Sequence, residues 1–184
     1  MSGKIADVEL LADSRLIVWN PAEAQTLYSS RYYGKPLGVA KPKEGFDTPL
    51  VLDPIEGVYL LERGVIDVVQ GEDAAKVTPE RLKALARGIL EGFDDHYTVY
   101  SSLRDKGFVV TPGIKYGCDF AVYEHGPGID HAPYIVQVKG KGDGLSATEI
   151  VKAGRLATTV RKTFMIALVD GEEISFLSFK WWRP

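Results

Sequence analysis

The spacing of apolar positions changes character along the chain. Leu16-Ile17-Val18-Trp19 reads as a strand, and Asn20-Pro21 supplies the N-cap and N1 residues of a helix predicted to reach about Tyr32, stopped by Gly34 and Pro36. Gly34–Pro49 is a Gly/Pro/Lys-rich connection, long enough to suggest a functional or mobile segment. Asp53-Pro54 opens a second helix, with Leu52, Ile55, Val58, Tyr59 and Leu61 or Glu62 marking its faces and Gly64 at C′. Val65–Val69 is a strand. Thr78-Pro79-Glu80 starts a helix predicted to run to about Leu90, Gly92 interrupts the pattern, and another helix runs from Asp94 to Lys106 before Gly107. Beyond Gly107 the period drops to two, giving strands at 108–110, 120–123, 134–138, 163–169 and 174–179. One helix, Ser146 to about Arg161, is set among them.

This order predicts an α/β (α+β) chain of two domains: a small N-terminal α/β domain over 1–92, and a C-terminal mixed-sheet domain with a packed helix over 93–184. Composition agrees: 184 residues, 45% apolar and 26% charged, is ordinary soluble globular usage and excludes collagenous, coiled-coil and wholly disordered chains. No apolar run approaches the ~20 residues of a spanning helix, and Met1–Asp7 meets acid with no apolar h-region. Neither a membrane span nor a secretory signal is expected. The single cysteine, Cys118, can form neither an internal disulfide nor a Cys-based zinc site, which favours a reducing cytoplasm.

The net charge of −3 hides an asymmetry. Residues 1–130 carry 14 Lys+Arg against 20 Asp+Glu; residues 131–184 carry 8 against 5. A surface for a polyanion belongs in the last third. There, the helix from Ser146 sets Ile150, Ala153, Ala157 and Val160 toward a core, while Lys152, Arg155, Thr159 and Lys162 form a polar, cationic stripe. Such a stripe suits phosphates, and it also suits plain solvation.

Only three histidines are present. His96 lies in a helix beside Tyr97 and Tyr100, where a packed or surface role fits. His125 and His131 bracket a loop between two strands, the first of which ends at Tyr123, and a histidine there can transfer a proton near neutral pH. Taken singly, each histidine fits a structural role; a Tyr, a His and a Lys converging near one cationic helix point to catalysis. Asp130 with Gln137-Val138-Lys139 loosely matches the acid-spacer-Lys pattern of metal-dependent DNA nucleases, but the amide at 137 is a weaker ligand for a divalent ion than a carboxylate. Gly140–Gly144 lacks the Gly-Lys-Ser/Thr of a phosphate-binding loop. Cys118 fits a small buried residue better than a nucleophile.

Three segments, taken in order, resemble the archaeal tRNA-splicing endonucleases: Gly113-Ile-Lys-Tyr-Gly-Cys-Asp-Phe-Ala-Val-Tyr123, His131-Ala-Pro-Tyr-Ile-Val136, and Arg155–Lys162 running into Thr163–Asp170. The resemblance is strong over 107–184 and holds in element order alone before that. It implies a nuclease domain over 93–184 that cleaves precursor tRNA at bulge-helix-bulge junctions without metal or other cofactor. The family's catalytic Tyr, His and Lys fall on Tyr123, His131 and Lys162. The loop between Tyr123 and His131 is shorter than in some members and holds the extra His125. The resemblance also implies a clamp on a bulged base by Arg155 and either Trp181 or Trp182. Insertions like Gly34–Pro49 imply RNA contacts by Lys35, Lys41 and Lys43, although lysines there also serve a plain solvated loop. The acidic turn Asp170-Gly171-Glu172-Glu173, by itself a plain β-turn, corresponds to a loop that docks in a basic pocket of an opposing subunit. The implied assembly is a homotetramer, or an (αβ)2 heterotetramer with a non-catalytic paralogue. A further alternative is a non-catalytic RNA-binding or scaffolding subunit, as the resemblance implies for paralogues that have lost the triad. This chain carries all three residues, which argues against that class.

Overall fold

Acidic and apolar residues alternate in Ala6-Asp7-Val8-Glu9-Leu10, and the structure makes this segment a strand, β1 (Ala6–Leu10), with Ala6, Val8 and Leu10 buried. The expected elements began at Leu16, so β1 is an addition. The structure is a computed structural model that describes residues 3–39, 42, 45–129, 132–160 and 162–179, with backbone alone at 152 and 156–160. It divides into two compact units, Met1–Phe93 and Asp94–Pro184.

In the first unit β1 is followed by β2 (Leu16–Val18), α1 (Pro21–Arg31), β3 (Lys35–Pro36), β4 (Leu50–Leu52), α2 (Pro54–Glu62), β5 (Ile66–Gln70), β6 (Ala75–Lys76) and α3 (Pro79–Ile89). The strands form one sheet in the order β3-β4-β2-β1-β5-β6, in which β1 and β5 run parallel and every other pair is antiparallel. Helix starts follow the caps in the sequence. The Asn20 side chain accepts from the Ala22 N–H, the Thr78 hydroxyl accepts from the Arg81 N–H, and Asp53 and Glu56 form a reciprocal capping box. Helix α1 ends where expected, with Tyr32 as its C-cap at a left-handed φ of 58°, two residues before Gly34. After α2, the Gly64 and Val65 N–H groups close back on the Leu61 and Leu60 carbonyls, with Gly64 at φ 63° as C′. At Gly57 a β-carbon would run into the Leu16 side chain, so glycine is what lets α2 approach the sheet.

The described residues of the 34–49 segment make specific contacts with the rest of the unit. Lys35–Pro36 pairs with Leu50 and Val51, and the Leu37 N–H donates to the Pro49 carbonyl at 2.8 Å. The Phe46 N–H donates to Gln25 Oε1 at 2.9 Å, and its ring packs edge-on against Tyr28 of α1. Both ends are therefore tied to the unit by backbone bonds and an aromatic contact. Lys41 and Lys43 lie outside the described residues.

The second unit holds α4 (Phe93–Asp105), β7 (Val109–Pro112), a 3₁₀ turn (Ile114–Tyr116), β8 (Phe120–Tyr123), β9 (Tyr134–Gly140), α5 (Ala147–Val160), β10 (Thr163–Asp170) and β11 (Glu173–Phe179). Its sheet runs β11-β10-β9-β8-β7, with β9 and β10 parallel and the rest antiparallel. Helix α5 is the crossover that the parallel pair requires, and a Ser146–Glu149 capping box starts it. One face of the sheet carries Phe120 against Tyr100 and His96 of α4. The other carries Ile135, Phe164 and Ile166, packed with Cys118 and with Ala153 of α5. Together the two sheets and five helices make the mixed α/β class expected. No described helix is long and apolar enough to cross a membrane.

Candidate active site

Topology sets one end of the second sheet apart. Because β8 runs antiparallel to β9 and β9 parallel to β10, the last residue of β8 and the first residues of β9 and β10 all lie at that end. Val122 stands opposite Tyr134, and Tyr134 opposite Thr163. Tyr123 and Lys162 each lie one residue farther out, on either side of Pro133, with two strand spacings, about 10 Å, between their backbones. Strand alternation puts Tyr123 on the face of Ala121, which pairs with Ile135; this is the face that α5 covers.

At this end Lys162 makes contacts that include a hydrogen bond and an aromatic ring. Its ammonium donates to the Ala132 carbonyl at 2.5 Å, and it sits 5.2 Å from the centroid of the Tyr116 ring. The next residue begins β10, where the Thr163 N–H donates to the Pro133 carbonyl at 2.9 Å. Ala132 is buried and directly follows His131 in the chain. His131 and Asp130 themselves lie outside the described residues, as do Trp181 and Trp182.

Two expectations for α5 change. Its helical residues end at Val160, so Lys162 belongs to the connection into β10 and not to the helical stripe. Strand pairing at Thr163 overrides the continued helical spacing. Ile150, expected in the core, is 39% exposed, whereas Ala153 is buried. The two lie about 60° apart around the helix, which places Ile150 at the margin of the face that Ala153 buries. Arg155 lies on the exposed side of α5, and the side chains of Lys152, Ala157, Thr159 and Val160 are outside the description.

Other candidates are occupied differently. His125 is exposed. His96 faces the Asp119 carboxylate at 3.4 Å and packs against Phe120, a structural position. Asp119 also accepts from the Gln137 side-chain amide and the Val138 N–H, each at 2.6 Å. Lys139 pairs with Glu149 at 2.7 Å, which keeps the ammonium above its usual pKa. The Lys139 hydrogen bond, with the Ser146 N–H and hydroxyl, lowers the Glu149 carboxyl to about 2. Cys118 is buried, its sulfur near the Gly113 and Phe120 carbonyls, as a packed residue would be. Among the described residues, no three His, Cys, Asp or Glu side chains are grouped to hold a metal ion. The acidic turn is the exposed tip of the β10–β11 hairpin, where Asp170 pairs with Lys141 at 2.7 Å and Glu172 and Glu173 face solvent.

The candidate residues drawn from sequence did not include Tyr116. Its signal was present in the Gly113-Ile-Lys-Tyr-Gly117 spacing, where two glycines bound a tight turn that ends in an aromatic residue.

Two family models match the chain: tRNA intron endonuclease, N-terminal domain, over residues 9–83, and tRNA intron endonuclease, catalytic C-terminal domain, over residues 93–176. The tRNA-splicing endonuclease of Hyperthermus butylicus is 44% identical over 178 residues, covering 95% of this chain and 98% of the relative. Those of Saccharolobus islandicus (strain L.S.2.15) and Sulfurisphaera tokodaii are each 40% identical, over 176 and 177 residues; 94% of this chain is covered in both cases, with 96% and 97% of the relatives. Similarity at this level across nearly the whole of each sequence, together with a match to the catalytic domain, shows that the chain belongs to the tRNA intron endonuclease family and is an RNA endonuclease.

Proposed function

We propose that this chain is the catalytic subunit of a cytoplasmic tRNA-splicing endonuclease, cutting precursor tRNA at bulge-helix-bulge exon–intron junctions without a metal ion. The ribose 2′-OH oxygen attacks the adjacent phosphorus and the P–O5′ bond breaks, leaving a 2′,3′-cyclic phosphate and a 5′-OH. A proton leaves the 2′-OH, another reaches the departing O5′, and a cation meets the charge on the phosphorane. Tyr123 takes or positions the first proton, His131 delivers the second, and Lys162 supplies the cation. A phenol with a pKa of about 10 is mostly protonated at neutrality, so positioning is a substantial part of the Tyr123 role.

The observation that carries this reading is the Lys162 ammonium on the Ala132 carbonyl, next in sequence to His131, at the sheet end where Tyr123 closes β8. Arg155, with Trp181 or Trp182, clamps a bulged base, and Lys35, Lys41 and Lys43 add backbone contacts. The catalytic domain is 93–184 and the N-terminal domain 1–92. The acidic Asp170, Glu172 and Glu173 tip docks into an opposing subunit, giving a homotetramer or an (αβ)2 heterotetramer with a non-catalytic paralogue. A metal-dependent site on Asp130, Gln137 and Lys139 has less support, because Gln137 and Lys139 are engaged by Asp119 and Glu149.

Cleavage of a bulge-helix-bulge RNA in excess chelator, followed by end-group analysis, tests the reading. Full activity with a 2′,3′-cyclic phosphate is expected. Loss of cleavage in chelator, or a linear 3′-phosphate produced without passage through the cyclic form, would reject it.

A further inference from the structure

An electrostatic stabiliser acts only when its charge is already in place, and a lysine is poorly suited to that by itself: its four-carbon stem carries about 2 kcal/mol of rotamer entropy. In this structure the Lys162 ammonium meets the Ala132 carbonyl and the ring of Tyr116. The ring is itself well fixed. Its turn is closed by the Tyr116 N–H on the Gly113 carbonyl at 2.8 Å and by Gly117, left-handed at φ 65°. At Gly113 a β-carbon would stand 2.6 Å from the Cys118 sulfur and 2.7 Å from the Cys118 carbonyl oxygen, so glycine is needed for the turn to lie this close. The half-buried Tyr116 ring then packs against the cluster of Cys118, Ile135, Ala153, Phe164 and Ile166.

We infer that Tyr116 is a positioning residue for the cleavage reaction: its ring, anchored in the core of the second unit, holds the Lys162 ammonium by a cation–π contact where the phosphorane charge develops. The inference rests on the catalytic reading of Lys162. The contact is electrostatic, between the negative face of the ring and the cation, so it depends on the ring's electrons rather than on its hydroxyl.

That dependence gives a test indifferent to folding. Position 116 is occupied in turn by Phe and by phenylalanines of increasing fluorination, which keep the shape while draining the face of the ring. Single-turnover cleavage of a bulge-helix-bulge RNA is measured beside RNA affinity. Tyr116→Phe should cleave within about twofold of the parent. The fluorinated series should slow stepwise, and Tyr116→Leu by roughly 3–30-fold, the span of a partly desolvated cation–π contact, with the RNA dissociation constant unchanged. In a Lys162→Ala background Tyr116→Leu should cost nothing more. Equal rates across the fluorinated series, or a Tyr116→Leu loss that persists without Lys162, overturns the inference. If Lys162→Ala alone cleaves at the parent rate, the catalytic reading of Lys162 falls and takes this inference with it; a slow Lys162→Ala beside a flat series removes the inference alone.

Discussion

Replacing Lys162 with Ala removes one ammonium to which the proposed mechanism gives two separable duties, and their sizes differ enough to tell apart. In the resting protein the group donates a charge-assisted hydrogen bond to the Ala132 carbonyl at 2.5 Å. Such bonds contribute about 1.5–3 kcal/mol, but Lys162 is half-buried and orders a long side chain, so a net loss of about 1 kcal/mol of stability is expected. In the proposed mechanism the same charge lies near the phosphorane. At about 3 Å and an effective dielectric near 20, a unit charge interacts by about 5 kcal/mol, part of which is already present with the ground-state phosphate. The remainder agrees with the ~2.7–4 kcal/mol found for donors aimed at developing charge, or roughly 10²–10³-fold in rate. Single-turnover cleavage with enzyme in excess reads the second quantity and guanidinium unfolding reads the first. Lys162→Arg should recover most of the stability and only part of the rate, because a planar fork presents its charge differently from a point ammonium. A Lys162→Ala enzyme cleaving within threefold of the parent would refute the assignment. So would a rate loss fully accounted for by a larger unfolded fraction.

Tyr123→Phe and His131→Ala should each slow cleavage by roughly 10²–10⁴-fold with non-additive losses, while exposed His125→Ala should cost little; the reverse pattern between the two histidines would place the acid on His125. Gly113→Ala sits at φ −88°, which alanine accepts, so its expected cost of about 1–3 kcal/mol in chemical unfolding is purely the clash with Cys118 and Phe120; a neutral result would mean that the turn has room to yield. Glu149 is lowered from 4.5 to about 2, so the folded protein binds fewer protons at this site than the unfolded chain. Its contribution to stability is therefore complete above pH 4.5 and is lost as pH falls toward about 2. Acid titrations of stability should show Glu149→Gln with a shallower fall in that window than the parent.

The helices were legible because their signals are local. Asn20-Pro21, Asp53-Pro54 and Thr78-Pro79 each carry a side-chain acceptor and a proline that needs no hydrogen-bond partner, and each starts a helix at that point. Strands beyond Gly107 were visible as short apolar runs between turn residues, although the expected period of two holds best in β10 and β11, because β8 is packed on both faces of the sheet. The short β3, β4 and β6 were not: Lys35–Pro36 and Ala75–Lys76 offer two residues each, and Leu50–Leu52 follows directly on a Gly/Pro/Lys-rich stretch, so pairing with their partners is what defines them. β1 carries a clear alternation, yet what makes it a central strand is its pairing with β2 on one side and β5, about sixty residues away, on the other.

The candidate site divides in the same way. The sequence by itself determined the residue types, their order, and the resemblance that drew Tyr123, His131 and Lys162 together. It also set the two glycines that let the 113–117 turn close. The tertiary structure alone decided that Lys162 leaves the helical stripe for the start of β10, that its ammonium rests on the Ala132 carbonyl, and that Tyr116, 46 positions earlier in the chain, stands beneath it. Helical spacing describes neighbours within one element. The place where Lys162 meets Tyr116 is fixed by strand register and by how a hairpin turn packs against a shared core, and both depend on contacts distant in sequence.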